Sequence, residues 1–226
     1  MKVSPGAGSW IAAGVRHELL TRALPSLRHD LAGPVSVIRM GLLMLKRQVA
    51  ASELDSAACA QRVELIDSQV GELTAGIRLL GHWELATEDG GITRSGLVAA
   101  CVALMRAAFD LQGVALEVDA ALVPVEGEPH WPRAAALRYM LLGAMGHLHD
   151  SVDAVGTIVI APDGDNALQL TAVPAPGAGT GPDNDHVHRA PRALAIDAVA
   201  LQSLADDLGY EVTREGDVVR LAFGAA

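Results

Sequence analysis

The run Leu27-Arg28-His29-Asp30-Leu31-Ala32-Gly33-Pro34 carries the residue types and spacing best suited to chemistry in this chain. Leu24, Leu27 and Leu31 fall on one helical face, and His29, two positions before Leu31, lies about 200° around the helix from it and points to solvent. An exposed imidazole followed by a carboxylate suits nucleophilic work. Asp30 can accept the Nδ1–H hydrogen bond, fix the tautomer and leave the Nε2 lone pair free. As in a catalytic triad, a carboxylate orients an imidazole and stabilises positive charge that develops on it. Pro34 lacks the N–H that would bond to the carbonyl of Asp30, which predicts a bend there. Gly33 leaves a bare patch on the His29 face, one turn away, where another protein can approach closely. A mid-helix Gly and Pro together cost several kcal/mol of helix propensity, which a merely structural helix gives no reason to bear.

The elements that position these residues are helical up to about residue 88. From Val63 the apolar residues fall at Val63, Ile66, Val70, Leu73, Ile77 and Leu80, a seam of alternating threes and fours. The preceding segment repeats the pattern at Leu24, Leu27, Leu31, Ile38, Leu42, Leu45 and Val49, with Ala50 to Ala60 as the connection and a helix start near Ser52 or Asp55. Two antiparallel helices joined in this way form a hairpin with one side of each helix left to cover, and two hairpins make a four-helix bundle, so a homodimer is expected. The turn-rich Glu88-Asp89-Gly90-Gly91 closes this domain, 1–88, and opens a second, 89–226. There helix-like runs (Leu97 to Leu111, Pro132 to about His149, Leu194 to Leu208) alternate with strand-like ones (Val114 to Val118, Val123 to Val125, Thr157 to Ile160, Leu168 to Val173, Tyr210 to Thr213, Val218 to Phe223). The fold class is thus α + α/β: a helical hairpin followed by an α/β sandwich with helices on one face of a mixed sheet.

Composition narrows the function. The 226 residues are 50% hydrophobic, enough for a packed core, and 27 acids against 17 bases give a formal net charge of −10. So acidic a chain, with three Trp, two Tyr and two Phe, is poorly equipped to track phosphates or stack bases, so nucleic acid is not expected as a partner. Cys59 and Cys101 form no disulfide framework and no zinc spacing, and read as thiols in a reducing compartment. No apolar stretch reaches the length of a membrane span, so a cytoplasmic protein without a membrane partner is expected.

The run His29-Asp30-Leu31-Ala32-Gly33-Pro34 resembles the phosphoacceptor motif of histidine kinases: a His, an acidic residue, three variable positions and a Pro. A helical hairpin follows, as in their dimerisation domain. The resemblance implies that His29 is the phosphorylated residue and Asp30 its acidic helper. Gly33 stands where those enzymes often place Thr or Asn for phosphatase activity, which puts such activity in doubt. The second half resembles their ATP-binding (Bergerat) domain with its nucleotide residues missing. Gly143 and His147 occupy the two Asn positions of the asparagine box, so the Mg²⁺ ligand is lost. The run Ala175-Pro176-Gly177-Ala178-Gly179 has the glycines of the glycine box without its Asp, and Pro191 to Ile196 lacks the glycines of the lid.

A phosphoacceptor hairpin joined to a degenerate kinase-like domain resembles the dimeric histidine phosphotransferases of the ChpT type. That resemblance implies a phosphorelay in two-component signal transduction: His29 takes a phosphoryl group from one response-regulator receiver domain, such as the receiver of a hybrid kinase, and passes it to another. It implies no cofactor of the protein's own, Mg²⁺ coming with the receiver. Arg22 and Arg28 are near enough along the helix to attract an acidic partner or phosphoryl oxygens, and Ser26, Gly33 and Ser36 share the His29 face and line the docking surface. Competing readings are a pseudokinase-like dimeric scaffold that regulates a kinase or response regulator without phosphotransfer, a metal-dependent phosphohydrolase of the HD type, and an active kinase. The pairs His147-x-His149-Asp150 and Asp185-His186-x-His188 suggest a metal site, but two steps along a helix turn 200° and separate the first pair.

Overall fold

The computed structural model describes residues 6–52, 55–81, 83, 85, 90–176 and 194–225. These form two compact units, one of residues 24–87 and one of residues 1–23 with 88–226. The first helix, α1 (Ala7–Val49), contributes to both and runs through Pro25 and Pro34 without a break in its assignment.

In the unit of residues 24–87, α1 is followed by α2 (Ser56–Gly81). Asp55 caps the second helix, its Oδ1 accepting from the Ala58 amide at 3.0 Å, and so settles where the connection ends. The helices are antiparallel and meet closely at two glycines. A Cβ at Gly41 would come within 2.9 Å of Ile66, and one at Gly76 within 2.9 Å of Leu31. The inner seam on α1 is therefore Leu27, Leu31, Pro34, Ile38, Gly41, Leu45 and Gln48, and on α2 it is Arg62, Ile66, Gln69, Leu73 and Gly76, all buried or half-buried.

In the single chain this inner seam divides the hydrophobic seam read from spacing into two rows. Leu24, Leu42, Val49, Val63, Val70, Ile77 and Leu80, seven of its members, are exposed in the single chain. Leucine and valine counting cannot see a seam that uses glycines for close approach and admits Arg62, Gln69 and Gln48. Most of these exposed residues, together with Val35, form a stripe of their own. Val35, Leu42 and Val49, with Val63, Val70 and Ile77, each follow an inner-seam residue by one position. Because the helices are antiparallel, that step turns both rows to the same side of the hairpin, where they make one apolar face.

The larger unit is a layer of helices on a sheet. It opens with β1 (Ile92–Thr93) and α3 (Arg94–Asp110), capped by Thr93, whose side chain accepts from the Gly96 amide. Next come β2 (Ala115–Val118), β3 (His130–Trp131) and α4 (Ala134–Ser151). The chain ends with β4 (Val155–Pro162), β5 (Ala167–Pro174), α5 (Ala198–Leu208), β6 (Tyr210–Glu215) and β7 (Val218–Ala225). Five strands pair in the order β2-β4-β5-β7-β6, with β2 parallel to β4 and the other pairs antiparallel. Leu168, Leu170, Val219, Leu221, Ile158 and Ile160 point to the helices and are fully buried, while Gln169 and Val173 face outward and are exposed. The α/β layering expected from the alternating runs is present. The strand expected at Val123 to Val125 is absent: a 3₁₀ turn over Ala120–Leu122 precedes it, and His130–Trp131 pair with β1 instead.

Gly156 shows how tightly β4 is packed. A Cβ there would lie 2.6 Å from the Cα of Ala175, where the β4–β5 register shifts. Backbone cannot yield as a side-chain tip can, so Gly156→Ala is expected to destabilise the protein by about 2 kcal/mol. A lowered urea midpoint at unchanged slope would register it.

The central helix α4 is the hub of this unit. Leu137, Met140, Leu141, Leu142, Met145 and Leu148 are fully buried. Arg133 precedes it in the left-handed region, φ 61°, with its guanidinium 5.3 Å from the Tyr210 ring centre. Cys101 is buried, and burial pushes its thiol up to about 12; like Cys59 it is unpaired. No helix among the described residues is long and apolar enough to cross a membrane.

Candidate functional site

On α1, the His29 side chain is 91% exposed, the outcome its spacing from the inward leucines requires. The Asp30 carboxylate lies 3.6 Å from His29 Nδ1, inside ion-pair range but longer than a hydrogen bond. A modest side-chain rotation closes that gap and costs little for two exposed groups. Exposure also keeps this pair nearly irrelevant to stability, so whatever His29 does is separable from folding.

Around the imidazole is a shallow open groove lined by Pro25, Arg28, Leu31, Ala32, Val35 and Ser36. Its lining is largely apolar, with Arg28 and Ser36 as the polar residues beside His29. Ser36 spends its hydroxyl on the Ala32 carbonyl, at 2.9 Å, one turn back along the helix. Gly33 has open space where a Cβ would stand, so no contact among the described residues accounts for its lack of a side chain. Ser26 is half-buried and Arg28 exposed. Pro25 joins this surface although the spacing argument does not point to it. It withholds an amide from the carbonyl of Thr21 as Pro34 does from that of Asp30, leaving the segment around His29 flanked by two interrupted ladders.

Arg22 is placed differently from its sequence neighbours. It belongs to the larger unit, with its side chain only 11% exposed. Its Nε donates to Glu18 at 2.9 Å, and its Nη2 donates to Asp150 Oδ2 at 2.7 Å and to the Leu194 carbonyl at 3.0 Å. The expectation that Arg22 attracts a docking partner is therefore corrected: its guanidinium is committed inside the protein. Periodicity could not reveal this, because the acid that claims it is Asp150, distant in sequence.

The α4 residues singled out by the sequence are also enclosed. A Cβ at Gly143 would stand 2.8 Å from Leu204 and 3.4 Å from Leu201, with Leu19 just beyond. His147 is buried, its Nδ1 2.9 Å from the Ile196 carbonyl and 3.1 Å from the Ser151 hydroxyl. His149 diverges from it as the 200° step demands, with Nδ1 2.9 Å from Asp150 Oδ1 and its ring edge-on to Phe109 at 5.1 Å. Residues 177–179 of the glycine run, 191–193 of the lid-like run and the Asp185-His186-x-His188 pair lie outside the described residues.

Asp150 illustrates the electrostatics. Burial alone would raise its pKa, yet hydrogen bonds from His149, Arg22 and the Ile196 amide, with the Arg22 charge, hold it far below the usual carboxylate range. A carboxylate whose folded pKa is depressed stabilises the fold above its unfolded value of about 3.9, and that contribution fades as pH falls below it. Asp150→Asn is accordingly expected to lower stability at pH 7 and to flatten the acid limb of the stability profile below about pH 4. Urea titrations at several pH values would measure both effects.

No protein-family model matches this chain, and no curated protein matches it. Solved structures do. The histidine kinase AdeS of Acinetobacter baumannii aligns over 87% of this chain and 98% of its own, at 12% identity and a TM-score of 0.36. Full-length ShkA, solved in complex with AMPPNP, aligns over 91% of this chain and 46% of its own, at 17% identity and a TM-score of 0.36. Both scores lie below the range that establishes a shared fold.

Proposed function

We propose that this protein is a dimeric histidine phosphotransferase that relays phosphoryl groups between response-regulator receiver domains through His29. The observation that carries the reading is the exposed imidazole on α1, with a carboxylate 3.6 Å from its Nδ1 and an open, largely apolar groove beside it. The Nε2 lone pair attacks the phosphorus of a receiver's aspartyl phosphate. The P–N bond forms as the P–O bond breaks, and the receiver carboxylate leaves with the bonding pair. Nδ1 keeps its proton, so the phosphorylated ring is cationic, and Asp30 stabilises that charge. The reverse step hands the phosphoryl group to a second receiver. Positioning and charge neutralisation dominate such transfers, with Mg²⁺ held by the receiver. Arg28 is the remaining cation at the groove for phosphoryl oxygens or an acidic partner, and Ser26, Gly33 and Ser36 form its contact surface.

Relay without ATP is supported by α4. The two positions that the resemblance assigns to the asparagine box are taken up by the chain itself, Gly143 against Leu201 and Leu204, and His147 against Ile196. Homodimerisation is supported by the six-residue apolar face of the hairpin, which a second copy would cover to complete a four-helix bundle. His29 is six residues from Val35, about 120° around the helix from that face, so assembly leaves the imidazole open while covering Val35 at one edge of its groove. The test is transfer of label to the full-length protein from a panel of phosphorylated receivers, beside incubation with labelled ATP. Label from a receiver and none from ATP is the expected result. Label from ATP would make the protein a kinase, and no label from its native receivers would leave a scaffold.

A further inference from the structure

Three stretches of the larger unit converge on one buried carboxylate. Asp150, at the end of α4, is 3% exposed at its side chain and accepts from His149 Nδ1 at 2.9 Å, from Arg22 Nη2 on α1 at 2.7 Å, and from the Ile196 amide at 2.9 Å. The strap Leu194–Asp197, which leads into α5, is tied at further points. Arg22 Nη2 also donates to the Leu194 carbonyl, and the Ile196 carbonyl faces His147 Nδ1 and the Ser151 hydroxyl. Gly146 makes the convergence possible. A Cβ there would stand 2.7 Å from Ile196 Cδ1, whose tip would have to shift, and 3.4 Å from Arg22 Nη1, at ordinary contact distance.

We propose that the Asp150–Arg22–His149 cluster is a latch that closes residues 7–23 of α1 and the strap 194–197 onto α4 together, so that the two segments dock and release as one. Two physical features favour a latch over a set of independent contacts. A buried carboxylate with one partner removed becomes an uncompensated charge, so loss of either arm weakens the other. Closure is also incompletely satisfied, because Arg22 Nη1 is buried with no hydrogen-bond partner among the described residues. An open state that hydrates this nitrogen recovers that cost. The latch has a structural consequence of its own: the two segments it closes line an apolar groove of about 450 Å³, with Trp10, Ile11 and Val15 of α1 on one side and Leu194 and Ile196 of the strap, joined by Val199 of α5, on the other. That groove keeps its shape only while the latch is shut. None of this depends on phosphotransfer.

The coupling is tested by disturbing one segment and reading the other. His147→Leu removes a bond to the strap, and no hydrogen bond of His147 among the described residues reaches residues 7–23. Hydrogen exchange on the full-length variant is expected to quicken about tenfold or more in both the strap and residues 7–23, with β4, β5 and β7 unchanged. Arg22→Gln, which removes the charge of the other arm, is expected to give the same paired loosening. Arg16→Ala, which severs the separate Arg16–Asp207 ion pair to α5, is expected to leave the strap protected. Loosening of the strap alone in His147→Leu, or even loosening across the whole unit in both latch variants, would overturn the proposal.

Discussion

Replacing His29 with alanine is expected to abolish the proposed phosphoryl acceptance from receiver domains and to leave the fold intact. The first half follows from chemistry: without the imidazole no covalent carrier exists, and removal of a nucleophile costs roughly 10⁴-fold or more in rate. The second half follows from placement, since a side chain 91% exposed makes almost no contacts to lose. The change in unfolding free energy should stay within about 0.5 kcal/mol. Transfer assays and urea unfolding of the same preparation read both halves. Asp30→Asn keeps the shape and removes the charge that would stabilise a cationic phosphoimidazole, so a partial loss of about tenfold is expected, with the carrier still formed. Undiminished label on His29→Ala would place the phosphoacceptor elsewhere. Transfer lost together with the fold would show that His29 is structural, against its exposure.

The contrast between the two units explains which features are legible in the amino-acid pattern and which are not. The orientation of His29 is legible because a helix fixes the angle between residues two apart, and the leucines at 27 and 31 mark the inner side. The alternation of helix and strand in the larger unit is legible because its strands are half-buried and its turns carry glycine, as at Gly164 (φ 63°) and Gly216 (φ 56°). Close approach and long-range charge escape such reading. Gly41 and Gly76 direct the hairpin seam through the absence of side chains, which a hydrophobicity count scores as nothing. Arg22 has the pattern of a surface cation because Asp150 is brought to it only by the tertiary fold. Asp150 itself gives no signal beyond its place in a His-x-His-Asp string that suggests a metal instead.

Glutamate at Val70 should convert a dimer into a folded monomer, whereas glutamate at Ile66 should unfold the hairpin. The two residues lie about one turn apart on α2, but the inner and outer seams separate their fates. Ile66 packs against Gly41 of the same chain, where a Cβ would already be 2.9 Å from it, so a carboxylate there replaces a close apolar contact within the hairpin. Val70 is 45% exposed in the single chain and belongs to the row Val63, Val70, Ile77, which has contacts to gain only from another molecule. In a two-fold dimer the substitution enters twice, and placing two carboxylates in an apolar interface costs several kcal/mol, which corresponds to at least a hundredfold weaker association. Leu42→Glu, on the α1 row of the same face, should act alike. Sedimentation equilibrium at micromolar concentration gives the mass, and far-ultraviolet circular dichroism gives the helix content. A stable Val70→Glu dimer would mean that the second copy covers some other surface. A Val70→Glu monomer that has also lost its helices would mean that the hairpin folds only on assembly, with the outer seam contributing as much as the inner one.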